Sequence, residues 1–253
     1  MCCFSRPVVS VSDTNIFARP GEKGRQFLVY SMSIKAGDEL AMILPLPVRL
    51  PAGETDVEFI DLKAYPQFFS DLDRGFAQPP VPASLSYSAE GRSAHANTLV
   101  VVTVGDFEAS FVPSVKDFSR LDERFRLDDD VWKNLPGYGN YSFAVFKLKP
   151  GAKTIHPMAF SFPRRDLQTV FFPTVHIHDG KVHEKAEFDH TIYCQPRPDE
   201  HLSTHAWEES YTHPSGFMQV EKTKGIILPD QHCYKRGIHG LLANVDTFLP
   251  VVT

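Results

Sequence analysis

The ten residues 174–183, Thr-Val-His-Ile-His-Asp-Gly-Lys-Val-His, decide how this chain is read. Asp179-Gly180 suits a two-residue type I′ turn, because both central positions need positive φ. The pattern predicts an antiparallel hairpin of residues 170–178 with 181–190. His178 then faces Lys181, Ile177 faces Val182, and His176 faces His183. Side chains alternate across a strand and paired residues share a face, so His176, His178 and His183 fall on one side. Phe171, Val175, Ile177, Val182, Ala186 and Phe188 fall on the other, which reads as a core face. Three imidazoles on one polar face are a candidate metal site. The plain alternative is three exposed strand histidines.

The composition fits such a fold. The 253 residues suffice for one large β domain or two small ones. Hydrophobic residues at 42% can build a core, and 20 Phe with 20 Pro suit short strands joined by proline-broken connections. A net charge of −5 with no basic stripe gives nucleic acid no footprint. No apolar run reaches the length of a membrane-spanning helix, so no membrane partner is expected. The opening Met-Cys-Cys-Phe-Ser-Arg-Pro lacks the charged and apolar regions of a secretion signal, which points to the cytoplasm. Disulfides are rare there, so Cys2, Cys3, Cys194 and Cys233 are expected as thiols or metal ligands.

Outward from the hairpin, residues 27–34 alternate and residues 39–48 are nearly all apolar. Both read as strands, the second buried on two faces until Pro45 and Pro47 stop its pairing. Residues 57–61, 98–104, 107–112, 141–149 and 156–162 read as further strands. Phe68, Phe69, Leu72 and Phe76 recur at helical spacing, as do Phe118, Leu121 and Phe125. Ser119 to Asp122 resembles a capping box, and residues 128–135 read as a second short helix. Residues 78–97, with Pro79, Pro80 and Pro82, read as a loop. Residues 225–228 read as a strand and the rest of 199–253 as loops.

The expected fold is therefore mainly β (β-rich α+β): packed or partly closed antiparallel sheets with two short helical segments. One compact domain over residues 1–253 is expected, with the loop at 78–97 between two similar halves.

The strand 27–34 followed by Ala41-Met-Ile-Leu-Pro-Leu-Pro-Val48 resembles a family of uncharacterised bacterial proteins. Its members carry a similar strand followed by A-M-V-x-P-x-P-V. The likeness runs over about residues 10–175 and takes in Phe143 to Lys149 and His156 to Phe160. These motifs are structural, so the resemblance implies a fold type and no reaction.

Chemistry rests on the histidines. Neutral imidazoles at His176, His178 and His183 would supply three nitrogens and leave a position open for water or substrate. Cys2 and Cys3 would soften such a site toward copper or zinc. The leading expectation is a metal-binding protein, a copper- or zinc-dependent oxidase or hydrolase if it is an enzyme, acting on a small-molecule or protein substrate. One alternative is a non-catalytic β-sandwich interaction module. Another is an N-terminal-Cys amide hydrolase, in which Cys2 attacks with its own α-amine as base. His232, Lys235 and Arg236 give Cys233 an electropositive setting that would lower its pKa. His201 and His205 lack the glutamate of the zinc-protease motif.

Overall fold

Leu40–Leu46, Leu-Ala-Met-Ile-Leu-Pro-Leu, is buried at every position, and the reason organises the molecule. Its even-numbered residues Leu40, Met42, Leu44 and Leu46 enter one core, while Ala41 and Ile43 enter another. A strand with a core on each side has no polar face to show, so its sequence loses the usual alternation.

The computed structural model describes residues 2–77, 102–104, 107–127, 129–133, 136–148, 151–154 and 156–252. The first strands are β1 (Cys2–Phe4), β2 (Ser10–Pro20), β3 (Arg25–Ala36), β4 (Leu40–Leu46) and β5 (Glu58–Asp61). Next come β6 (Val102–Val104), β7 (Phe107–Val112), β8 (Ser142–Leu148), β9 (Gly151–Thr154), β10 (Met158–Pro163) and β11 (Thr169–Phe172). The last are β12 (His176–Ile177), β13 (Lys185–Cys194), β14 (His201–Leu202), β15 (Glu208–Glu209), β16 (Tyr234–Ala243) and β17 (Thr247–Val252). The α-helices are α1 (Phe68–Arg74) and α2 (Asp129–Lys133).

A six-stranded sheet runs β12-β1-β4-β8-β7-β6. An eight-stranded sheet runs β15-β16-β13-β2-β3-β10-β5, with β9 also on β3, and a small sheet runs β11-β17-β14. Among the described residues pairing is antiparallel except for β1 with β12 and β13 with β2. The fold is mainly β, with two short α-helices among the described residues, as the sequence predicts.

The two large sheets face each other. Met42, Ala144 and Phe146 of one meet Leu28, Tyr30, Phe160 and Phe162 of the other. Phe146 and Phe160 touch across the gap, with ring centroids 6.0 Å apart. Behind the six-stranded sheet, Phe118, Phe125, Leu127 and Val131 cover Ile43, Phe143 and Val145. Behind the eight-stranded sheet, Phe68, Phe69 and Leu72 of α1, with Ile226 and Ile227, cover Phe17, Val29 and Tyr193. The molecule thus has four layers. Each fully buried aromatic contributes on the order of 2–3 kcal/mol through area removed from water.

Pro45 does not end its strand, because β4 pairs with β8 as far as Leu46. On the opposite edge β1 reaches only Met42 and Ile43, so the missing proline N–H costs no ladder bond there. Residues 115–125 form two 3-10 helices and not one helix, since Leu121 between them is extended at φ −84°, ψ 159°. Residues 225–228 form no strand. The expected loop at 78–97 lies outside the described residues.

The predicted hairpin does not form. Gly180 does take positive φ (+76°), and Lys181 N–H donates to Asp179 Oδ1 at 3.0 Å. The flanking segments nevertheless pair elsewhere. β11 pairs with β17, β12 with β1, and β13 with β16 along its whole length and with β2 on its other edge. A local turn contributes little against a ladder that satisfies both edges of β13 and buries Phe188, Ile192 and Cys194.

Candidate functional site

The N-terminal strand sits inside a sheet. β1 lies between β12, where Cys2 pairs with His176 and Cys3 with Ile177, and β4, where Cys3 pairs with Ile43. Cys3 is fully buried. β12 would then be an open edge, and side chains close it. Asn244 Oδ1 accepts from His176 N–H at 2.7 Å, and Asn244 Nδ2 donates to the carbonyls of His176 and His183 at 2.9 and 3.0 Å. Asp246 Oδ1 accepts from Thr174 and Val175 N–H at 2.9 and 3.1 Å, and its Oδ2 accepts from Tyr138 OH at 2.6 Å. A carboxylate and an amide thus act where another strand would otherwise pair.

Three imidazoles gather behind this edge. His176 and His190 share a hydrogen bond between their Nε2 atoms at 3.0 Å. The His176 and His178 ring centroids lie 4.7 Å apart. Phe188 stands edge-on to His176 at 4.6 Å, and Phe4 lies 5.6 Å from His178. His176 is 8% exposed and His190 fully buried. His178 Nε2 and His190 Nδ1 are buried without a hydrogen-bond partner among the described residues. Desolvation pushes the pKa of His176 and His190 far below the usual imidazole range, and the neighbouring imidazoles lower both further. Burial lowers His178 too, against the opposing pull of Asp189 and Asp179. All three rings are neutral near pH 7.

The cluster differs from the one expected. His183 is about half exposed, and its Nε2 lies 2.9 Å from Asp179 Oδ2, away from the others. His190 takes its place. Alternation from His183 puts His190 on the opposite face, so a hairpin reading excludes it. It joins because β13 belongs to the other large sheet and packs against β12 instead of pairing with it. The expectation of a copper or zinc centre from His176, His178, His183, Cys2 and Cys3 is corrected accordingly. Among the described residues no group of three or more His, Cys, Asp or Glu side chains is placed to hold a metal ion. The physical reason is visible at His176, whose Nε2 is spent on the His190 ring. The Cys2 side chain lies outside the described ones.

Two further expectations resolve. Cys233 is fully buried, and desolvation raises its thiol pKa where an electropositive setting would have lowered it. Lys235 is held by Asp73 at 3.0 Å. His232 Nδ1 donates to Ser210 O at 2.8 Å, and Ser210 Oγ donates to Thr212 O and accepts from Cys233 N–H. These bonds fix the entry to β16 and leave that hydroxyl no free proton to give.

No family model matches the sequence. Among solved structures, baculovirus P35 matches over 96% of this chain and 97% of its own, with a TM-score of 0.50 and 15% identity. The chain has the fold of baculovirus P35. A mutated baculovirus P35 after caspase cleavage matches at a TM-score of 0.49 with 14% identity, over 95% of this chain and all of that one. P35 in complex with caspase-8 matches at 0.48 with 13% identity, over 96% and 97%. The resemblance to an uncharacterised bacterial family is thereby overturned, because the P35 fold accounts for nearly the whole chain. The expected function as a metal-binding protein falls with it, since neither the fold nor the donor geometry supports one.

Proposed function

We propose that this protein is a protease inhibitor of the P35 type, whose partner is a cysteine protease of the caspase class. The observation that carries the reading is the P35 fold, which spans both chains nearly end to end. A mutated P35 has been seen after caspase cleavage, and P35 in complex with caspase-8. The architecture of this chain suits the role. An inhibitor that survives an encounter with a protease needs a scaffold that stays closed if one exposed bond is cut. Four layers with three cores, and an N-terminal strand locked between two neighbours, provide such a scaffold.

Titration of caspase-8, and of a panel of other cysteine and serine proteases, with the purified full chain tests this. The expected result is stoichiometric loss of activity of at least one caspase, with a stable complex in native mass spectrometry. Fragment masses then locate the cleaved bond. Turnover of the chain as an ordinary substrate, or indifference of every caspase to an equimolar amount, overturns the reading.

A further inference from the structure

The corner around His176 has a property that needs no protease. Two neutral imidazoles meet Nε2 to Nε2 at 3.0 Å, and a protonated pair would set two cations in contact. The charged groups around them give little relief. On the turn after β12, Asp179 faces His183 at 2.9 Å. On β13, Asp189 Oδ2 accepts from Asp13 N–H of β2 at 2.8 Å. In the segment after β16, Asp246 is spent on Thr174, Val175 and Tyr138. His178 disfavours charge on His176 and, with His239 of β16, on His190. β1 and β4 bring no carboxylate to either ring among the described residues.

The corner is held by a short ladder. β12 has two residues and pairs with β1, while the side chains of Asn244 and Asp246 close its other edge and Val8 N–H donates to His178 O at 3.2 Å. Cys3 lies beneath it with Ile43, Val175 and Ile177. We propose that this corner is an acid-operated clasp: as the pH falls the imidazoles separate to take up protons, β12 leaves β1, and Cys3 is uncovered while the rest of the fold stays closed.

The chain carries its own controls. Cys194 and Cys233 are fully buried in the other two cores. The full chain with Cys2→Ser is labelled with a disulfide reagent that reacts in acid, normalised to a free cysteine peptide, and the sites are read by mass spectrometry. An opening that frees one imidazole of ordinary pKa is favoured about thirtyfold more at pH 5 than at pH 7.5. Labelling of Cys3 is therefore expected to rise at least that much while Cys194 and Cys233 stay protected. Unchanged labelling of Cys3 overturns the proposal, and so does labelling of all three together, which marks global unfolding. With His176→Gln, His178→Gln and His190→Gln combined, the rise is expected to shrink below about threefold. If that variant folds and keeps the full rise, the clasp is not in these rings. Protease inhibition is not a readout here, so the two proposals fail separately.

Discussion

Arg19 and the His176–His190 pair are both polar, both buried, and electrically opposite. Arg19 is 5% exposed and has no carboxylate bonded to it among the described residues. Its guanidinium donates to the carbonyls of Ile226, Gly225 and Pro20 at 2.6, 2.7 and 3.0 Å and lies over the Phe27 ring. Desolvation lowers its pKa only to about 10, so it stays charged at neutral pH. The histidines sit at similar burial with no such cradle and stay neutral. Burial sets the penalty on charge. The number of oriented acceptors, and how far the intrinsic pKa lies from 7, decide whether the charge survives.

Removing the cradled cation should have the largest effect. Arg19→Met leaves three carbonyls without their donor, and buried acceptors cost about 1–3 kcal/mol each. A loss of about 4 kcal/mol in urea unfolding at pH 7 is expected. Arg19→Lys should recover less than half, because one ammonium cannot spread over a fork of carbonyls. A loss under about 1 kcal/mol for Arg19→Met would show that the cradle does not matter.

Acid should expose the other half of the contrast. Unfolded histidines bind protons near pH 6.5, whereas folded His176 does so only at about 3. Between those values the unfolded chain holds more protons, so the stabilisation is complete above pH 6.5 and is lost as the pH falls toward 3. The slope is about 1.4 kcal/mol per pH unit for each ring that stays neutral. Unfolding free energies from urea titration at pH 7 and pH 5 should therefore differ by roughly 2 kcal/mol per ring, and by about two thirds of the total in His190→Gln. Equal free energies at the two pH values would mean that the rings are charged when folded.

Asn244→Ala removes the amide that closes the edge of β12. It should cost about 2 kcal/mol and speed Cys3 labelling at pH 7.5 without added acid. His183→Gln breaks only the half-exposed contact with Asp179 and should change stability by less than about 0.5 kcal/mol. A larger effect would place His183 in the buried cluster after all.

How much was legible varies with how local the cause is. β4 could be found because alternation into two cores leaves a near-continuous apolar run, Leu40 to Leu44, and β8 because Tyr141 to Lys149 reads as an alternating strand. α1 could be found because Phe68, Phe69, Leu72 and Phe76 return at helical spacing. β2 carries no such signal. Asp13 takes φ +54°, the register with β3 shifts between Ser12 and Asn15, and the alternation is scrambled there. β16 hides for another reason. Its C-terminal half exposes Leu241 and Leu242, so it looks like a loop, and only the ladder with β13 makes it a strand.

The sequence by itself determined the class of fold, the strand β4 with a core on each side, and the positive φ of Gly180, though not the type I′ turn, because Asp179 does not share it. These follow from side-chain period and backbone sterics, which act over a few residues. Only the tertiary structure decided which strands pair, that β1 enters the sheet beside His176, and that His190 and not His183 completes the imidazole cluster. Those outcomes depend on contacts between residues far apart in the chain. They are set by which arrangement satisfies both edges of β13 and the open edge of β12 at once. No stretch of ten residues, 174–183 included, carries that condition within itself.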